Sequence, residues 1–303
     1  MSVEISDVRS FWSANPCQSR LSCEVERRKY FEEISRKRFQ GREWHVPITA
    51  KFDSFCGKDV LEIGCGVGTD GIEFARNGAN YIGVDLTEKS VELAQERFQL
   101  WGIPGRFEVA NAEARLPLPD ESIDHIYSFG VIHHSPAPEK IVDEMYRVLR
   151  KRGTFTVMLY NRTSINYYLE IMFLRRVFKW LLLPRPMPQI IAAITGFDQQ
   201  KLEGHRAKLK AKSRVSKEEW ISMNTDGPFC PLARVYSRSD AANLFRQFEN
   251  VTQEVWEFNV EHWSFLGKAV PKSLERWLGR RWGWHRMIYG SKPGNKTSRS
   301  VSR

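Results

Sequence analysis

The sequence predicts an α/β protein built on a doubly wound, mostly parallel sheet of seven strands. Between residues 51 and 160, short apolar β-branched runs alternate with stretches of helical period, and the alternation resumes after residue 236. Strands joined through helices of that length form right-handed βαβ units, and such units make a parallel sheet. The chain is also long enough, at 303 residues, and apolar enough, at 42% hydrophobic, to bury a large core. Disordered and fibrous classes are excluded on the same composition.

The elements follow in order. Residues 1–50 precede the sheet and are expected to form a helical lid over one end of it. Residues 51–160 form the core, with strands predicted at 60–63, 81–84, 106–109, 123–129 and 154–159. Helices are predicted between them at 70–77, 89–100 and 138–149, the second opened by Thr87 with Glu88 and Ser90 behind it. Residues 161–235 interrupt the alternation and read as a helical insertion after the fifth strand, a lid for substrate. Within it, 167–183 mixes aromatics and leucines with Arg175, Arg176 and Lys179, which suits one amphipathic helix. Pro184, Pro186 and Pro188 separate that helix from 201–217, a strongly basic helix or loop. Residues 236–290 complete the sheet: Ser237 and Asp240 open a helix to Phe248, and strands follow near 251–258 and 285–289. Residues 291–303 have the composition of a disordered basic tail.

The formal net charge of +10 suggests a nucleic acid or an anionic membrane surface as partner until its distribution is considered. Residues 51–160 hold 12 basic against 17 acidic groups, whereas 161–235 hold 13 against 6 and 271–303 hold 9 against 1. The excess therefore sits in the insertion and the tail, and a nucleic-acid partner is disfavoured. Five cysteines without a C-x-x-C pair argue against a zinc site, and no metal is expected. Glu4, Asp7 and Arg9 stand where a secretory signal would be apolar, so a reduced cytoplasmic setting is expected. The most apolar stretch, 165–197, is cut by Glu170, Arg175, Arg176, Lys179 and Arg185 and cannot span a bilayer. No motif specifies an oligomeric state.

The sharpest local signal is VLEIGCGVGTD at 60–70: a buried strand, a loop with Gly64, Gly66 and Gly68, then a helix. Glycines there let the backbone turn tightly and approach a bound nucleoside. Asp85 closes the second strand, 19 residues after Gly66, placed to accept hydrogen bonds from ribose hydroxyls. NAD and S-adenosylmethionine both contain such a nucleoside. The spacing is G-x-G-x-G rather than the pyrophosphate-seating G-x-G-x-x-G, and Glu62 and Asp70 would repel a pyrophosphate while attracting an ammonium and a sulfonium. Both features favour S-adenosylmethionine.

With GVDLT at 83–87, ANAEARLPLPDESIDHIYSFGVIHH at 110–134 and EMYRVLRKRGTFTVMLY at 144–160, residues 58–160 resemble the class I S-adenosylmethionine-dependent methyltransferases. The likeness is to the type 11 group, which includes ubiquinone and menaquinone methyltransferases, and it implies a Rossmann-like fold. It also implies that Glu62, Gly64 and Gly66 line the methionine end of the cofactor and that Asp85 holds the ribose. Leu86 would flank the adenine, Asn111, Ala112 and Glu113 would contact it, and Phe129 would border the sulfonium. Asn111 stands where the family usually has an acid, and Arg150–Gly153 replaces a common Lys-Pro-Gly-Gly turn.

In-line methyl transfer depends chiefly on positioning and exclusion of water. An oxygen or carbon acceptor can also need a base, and His133 and His134 lie just past the fourth strand, where open α/β sheets bind ligands. A base is expected among them with His133 ahead; the alternative is one histidine bracing the loop and one facing solvent. Phe11, Trp12, Tyr30 and Phe31 are lid candidates, and Tyr160 and Asn161 face the substrate side. Cys17 follows a proline, as nucleophiles of cytosine methyltransferases do, but it precedes the sheet and is set aside. The expected function is methyl transfer to an oxygen or carbon of a small molecule, with an RNA or other macromolecule methyltransferase, or a non-catalytic S-adenosylmethionine-binding protein, as the alternatives. The basic, aromatic insertion either docks an amphiphilic substrate at an anionic membrane or is a solvated lid.

Overall fold

A computed structural model describes residues 3–212, 214–258, 260, 267 and 269–294. Two helices, α1 (Ile5–Ala14) and α2 (Arg27–Lys37), lead through a short α3 (Val46–Ala50) into the sheet. The core then runs β1 (Asp59–Ile63), α4 (Gly71–Arg76), β2 (Asn80–Asp85), α5 (Glu88–Trp101), β3 (Arg106–Val109), β4 (Ile123–Phe129), α6 (Pro138–Val148) and β5 (Leu149–Tyr160). The insertion holds a helical run over 166–182, including α7 (Arg175–Phe178), then α8 (Met187–Thr195), α9 (Gln199–Ala211) and α10 (Lys217–Thr225). The chain returns through α11 (Arg238–Leu244) to β6 (Glu249–Trp256), α12 (Lys272–Trp282) and β7 (His285–Ser291).

The strand order is β3-β2-β1-β4-β5-β7-β6. Every pair from β3 to β5 is parallel, and β7 runs antiparallel to both β5 and β6. The order reverses between β1 and β4, so the cleft beyond their carboxyl ends is the ligand position of a doubly wound sheet. Val60, Leu61 and Ile63 of β1 and Ile126 and Tyr127 of β4 are buried, as strands covered by helices on both faces require. Helix α5 begins with Ser90 N donating to Thr87 Oγ1 at 3.3 Å and ends on Gly102 at φ 62°.

Three expectations change. The turn expected at 150–153 lies inside β5 as a bulge: the pairing jumps from Ile123↔Leu149 to His125↔Thr154, and Arg152 takes φ 63°. The amphipathic helix of the insertion is one continuous run, but π-helical over Asn166–Leu174, α-helical through α7 and 3-10 over Lys179–Leu182. Its buried side is only Asn166, Tyr167, Glu170 and Ile171, so much of its apolar surface faces outward. The disordered tail expected from 291 does not hold for its first residues, since Ser291 ends β7 and the Lys292 ammonium is buried, donating to Leu149 O at 2.8 Å. Its remainder, 295–303, lies outside the described residues. The insertion leaves and rejoins the sheet at one point: Tyr236 N donates to Tyr160 O at 2.8 Å and Arg162 N to Tyr236 O at 2.9 Å.

Candidate active site

The loop after β1 turns back because Gly64, Gly66 and Gly68 take φ 80°, 52° and 71°. A side chain at Gly64 would put its Cβ 2.1 Å from Val131 Cγ2, so β4's exit loop fits only against bare backbone there. A cavity of about 1260 Å³, mouth included, opens over this loop and is lined by residues from β1, β2, β4, β5, the N-terminal helices and the insertion.

Of the predicted cofactor residues, Glu62, Gly64, Gly66, Asp85, Leu86, Asn111, Ala112, Glu113 and Phe129 line the cavity. Gly68 does not: a Cβ there would lie 3.2 Å from Ala94, so this glycine lets α5 approach the loop. Asp85 accepts from Gly66 N and from Thr87 N and Oγ1, all at 3.0 Å, which fixes the loop against β2. Burial raises the Asp85 carboxyl, and the Thr87 and Gly66 amides oppose that rise. Asn111 Oδ1 accepts from Glu113 N at 2.9 Å. Glu113 in turn accepts from Ser135 Oγ at 2.5 Å and Ala137 N at 3.2 Å, holding the entry to α6.

The paired acids Glu62 and Asp70 behave differently from each other. Asp70 is not an open charge for a cation, because Arg38 donates Nε to Oδ1 at 2.7 Å and Nη2 to Oδ2 at 2.5 Å, and Tyr127 Oη adds 2.9 Å. Arg38 also pairs with Glu43, and its guanidinium sits 4.7 Å above the Phe129 ring. Glu62 accepts only from Tyr81 Oη, at 2.5 Å, and burial followed by the Asp70 charge pushes its carboxyl well above the usual range. An ammonium arriving beside Glu62 would favour its ionised form, so this acid, and not Asp70, suits the cationic end of the cofactor.

The two histidines are placed differently. His133 is fully buried against the Tyr160 ring, 3.8 Å between centroids, and does not line the cavity. Neither ring nitrogen has a hydrogen-bond partner among the described residues, and burial holds its pKa well below the ordinary value. His134 faces the cavity. Its Nδ1 donates to Leu232 O at 2.6 Å, and its Nε2 lies 3.6 Å from Asp226 Oδ2. Tyr160 Oη donates to Asp226 Oδ1 at 3.0 Å. Cys230 joins this group, with ligand atoms of His134, Asp226 and Cys230 within 4.8 Å of one another. Burial raises the Cys230 thiol far above its ordinary pKa.

The lid assignments divide. Ile5, Val8 and Trp12 of α1 line the cavity, and Arg9 Nε ties the helix to Leu86 O at 3.1 Å. Tyr30 and Phe31 of α2 are buried against α5, while Phe11 packs in the cluster beside the insertion. Tyr160 lines the cavity, but the Asn161 amide turns away to Gly283 O at 2.7 Å. Cys17, set aside as remote, lines the cavity on the glycine-loop side, its Cβ 3.8 Å from where a Gly66 Cβ would stand. Arg38, Glu43, Asp226 and His285 are cavity residues that the sequence did not announce. Of these, Asp226 lies just after α10, inside the residues 161–235 read as a substrate lid.

Residues 61–157 match the family described as a methyltransferase domain. A probable S-adenosylmethionine-dependent methyltransferase of Mycolicibacterium smegmatis is 36% identical over 111 residues, 36% of this chain and 41% of that protein. A ubiquinone biosynthesis O-methyltransferase of Cupriavidus pinatubonensis is 32% identical over 115 residues, 38% of this chain and 46% of that protein. The chain thus spans less than half the length of these curated relatives. Geranyl diphosphate C-methyltransferase of Streptomyces coelicolor shares the fold, with TM-score 0.54 at 11% identity over 95% of this chain and 97% of that one. By the family match, residues 61–157 are a methyltransferase domain.

Proposed function

We propose that this chain methylates an oxygen or carbon of a small, amphiphilic molecule, with His134 taking the acceptor's proton. The observation that supports this best is the meeting of two sets of groups in one cavity: the Gly64–Gly66 loop with Asp85 on one side, and His134 with Asp226 and Tyr160 on the other. S-adenosylmethionine supplies an electrophilic methyl on a sulfonium. Glu62 and the loop would hold its methionine end, Asp85 the ribose, and Leu86 with Asn111–Glu113 the adenine.

Because His134 Nδ1–H is committed to the Leu232 carbonyl, the neutral ring carries its lone pair on Nε2, toward the cavity. As the acceptor's bond to the methyl carbon forms and the carbon–sulfur bond breaks, the acceptor proton would pass to Nε2. The resulting imidazolium would be steadied by Asp226. Trp12, packed edge-on 5.1 Å from His134, would help to exclude water. Calorimetry with S-adenosylhomocysteine tests the cofactor half, with micromolar binding expected and absence of binding overturning it. Incubation of metabolite and lipid extracts with methyl-labelled cofactor identifies the acceptor, and label recovered only in RNA or protein would overturn the small-molecule reading.

The amphiphilic acceptor is inferred from the insertion. Trp180 is 64% exposed, Phe173 58% and Ile194 70%, alongside Tyr168, Val177, Phe178 and Leu181. Monomeric proteins seldom leave so much apolar surface uncovered. Arg176, Lys179 and Arg185 lie among these side chains, and the stretch's acid, Glu170, is buried and bonded to Arg175. Such a face complements an anionic bilayer surface and would repel a second copy of itself. No helix among the described residues is long and apolar enough to cross a membrane. Co-sedimentation with vesicles containing anionic phospholipid is expected, to be lost in Trp180→Ser/Phe173→Ser; equal recovery with neutral vesicles, or dimerisation through this face, would overturn the reading.

A further inference from the structure

Arg97 of α5 makes no ion pair among the described residues, although the Asp70 and Glu73 charges act on it from farther away. Its side chain is 1% exposed, yet its guanidinium reaches only the Ser35 hydroxyl, at 3.2 Å, and the Phe31 carbonyl, at 3.3 Å. It also lies 4.7 Å over the Phe31 ring, and its Nε has no hydrogen-bond partner. No carboxylate among the described residues pairs with it, whereas Arg38, equally buried, is pinned by Asp70 and Glu43. An uncompensated buried charge is expensive, and proteins keep one where something else supplies the opposite sign. Burial lowers the Arg97 pKa to about 9, with the Asp70 and Glu73 charges opposing the fall, which leaves the group cationic at neutral pH.

Arg97 opens onto a second cleft of about 610 Å³, mouth included, between the segment 32–40 and helices α4 and α5. Two more guanidiniums, Arg36 and Arg76, stand on its walls with the rings of Phe39 and Trp101. Both are ion-paired, Arg36 to Glu33 at 3.6 Å and Arg76 to Glu73 at 2.6 Å, and neither of these acids lines the cleft. Glu32 is the one acid among the residues lining the cleft, so the lining carries three positive charges against one negative. The arrangement of one buried and two rim guanidiniums beside aromatic walls matches the chemistry that recognises an oxyanion.

We propose that this cleft binds the phosphate or carboxylate group of a small metabolite, with Arg97 at its floor and Arg36 and Arg76 at its rim. The site lies away from the methyl-transfer cavity but shares a segment with it, since Arg36 is two residues from Arg38, which lines that cavity and holds Asp70. An anion that fastens 32–40 to α4 and α5 therefore favours the seated position of Arg38. It should tighten S-adenosylhomocysteine binding, and the cofactor should tighten the anion in equal measure. The direct binding claim does not depend on the methyltransferase reading, and its test involves no methyl transfer.

Inorganic phosphate and acetate are titrated separately into the full chain by calorimetry, with chloride holding ionic strength constant. The wild type is expected to bind at least one of them saturably at millimolar concentration or tighter; phosphate alone indicates a phosphoryl ligand, and acetate as well indicates a carboxylate. Arg97→Met should weaken binding at least tenfold. Should that variant not fold, Arg36→Gln/Arg76→Gln, confined to the rim, should still weaken it severalfold. Absence of saturable binding of either anion, or binding unchanged by the rim substitutions, overturns the proposal.

Discussion

Replacing Arg38 by methionine keeps most of the stem that covers Phe129 and removes the guanidinium. The Arg38 and Asp70 side chains are 3% and 4% exposed, so Asp70 is left as a buried carboxylate whose remaining partner is the Tyr127 hydroxyl. Losing one member of a buried pair costs about 3–5 kcal/mol, and the surviving Tyr127 bond places this case near 3 kcal/mol. With a urea dependence near 3 kcal/mol per molar for a chain this size, the midpoint should fall by about 1 M. Tryptophan fluorescence follows the transition. Adding Asp70→Asn to the variant removes the stranded charge and should recover about half of the loss. A midpoint shift under about 0.3 M for Arg38→Met would refute this account of the network. So would a double variant less stable than the single one.

Glu62→Gln should stabilise the empty protein above the ordinary carboxylate range while weakening S-adenosylhomocysteine binding. The Glu62 carboxyl is raised in the folded state, so the folded chain holds a proton that the unfolded chain gives up. That stability is present below the unfolded pKa and is lost as pH rises through the raised one; urea midpoints of the two proteins across pH 5–9 check it. His134→Gln should lower turnover by about 100-fold or more with cofactor binding intact, the typical share of a general base, while His133→Phe should leave turnover within severalfold. Equal turnover in His134→Gln would remove it as base. His125 is buried with its pKa lowered to about 3, so its contribution is full above the ordinary histidine value and declines as pH falls below it. The loss is about 1.4 kcal/mol per pH unit, and His125→Asn should flatten the acid limb of a stability–pH profile.

Local signals made the sheet legible. β3 and β4 have the predicted bounds, and α5 starts and stops where Thr87 and Gly102 direct, because caps, glycine conformations and strand periodicity act over a few residues. Helix α12 was passed over, although Leu274, Trp277 and Leu278, and Arg276 and Arg280, repeat at helical spacing. Its sheet-side contact is the Arg280 guanidinium 3.9 Å above the Trp256 ring, a pairing invisible without β6 beside it. The bulge at 150–153 is likewise a matter of pairing with β4.

The sequence by itself determined the fold class, the glycine loop, Asp85 and the identity of a cofactor with a cationic end, since these depend on residues close together in the chain. Tertiary structure decided which charges are free. Asp70 is taken by Arg38 from 32 residues away, His133 is sealed behind Tyr160, and His134 meets Asp226 only because the insertion folds back over β4. Long-range burial and pairing set the protonation and reach of each acid and base, and neither is written in the spacing of neighbours.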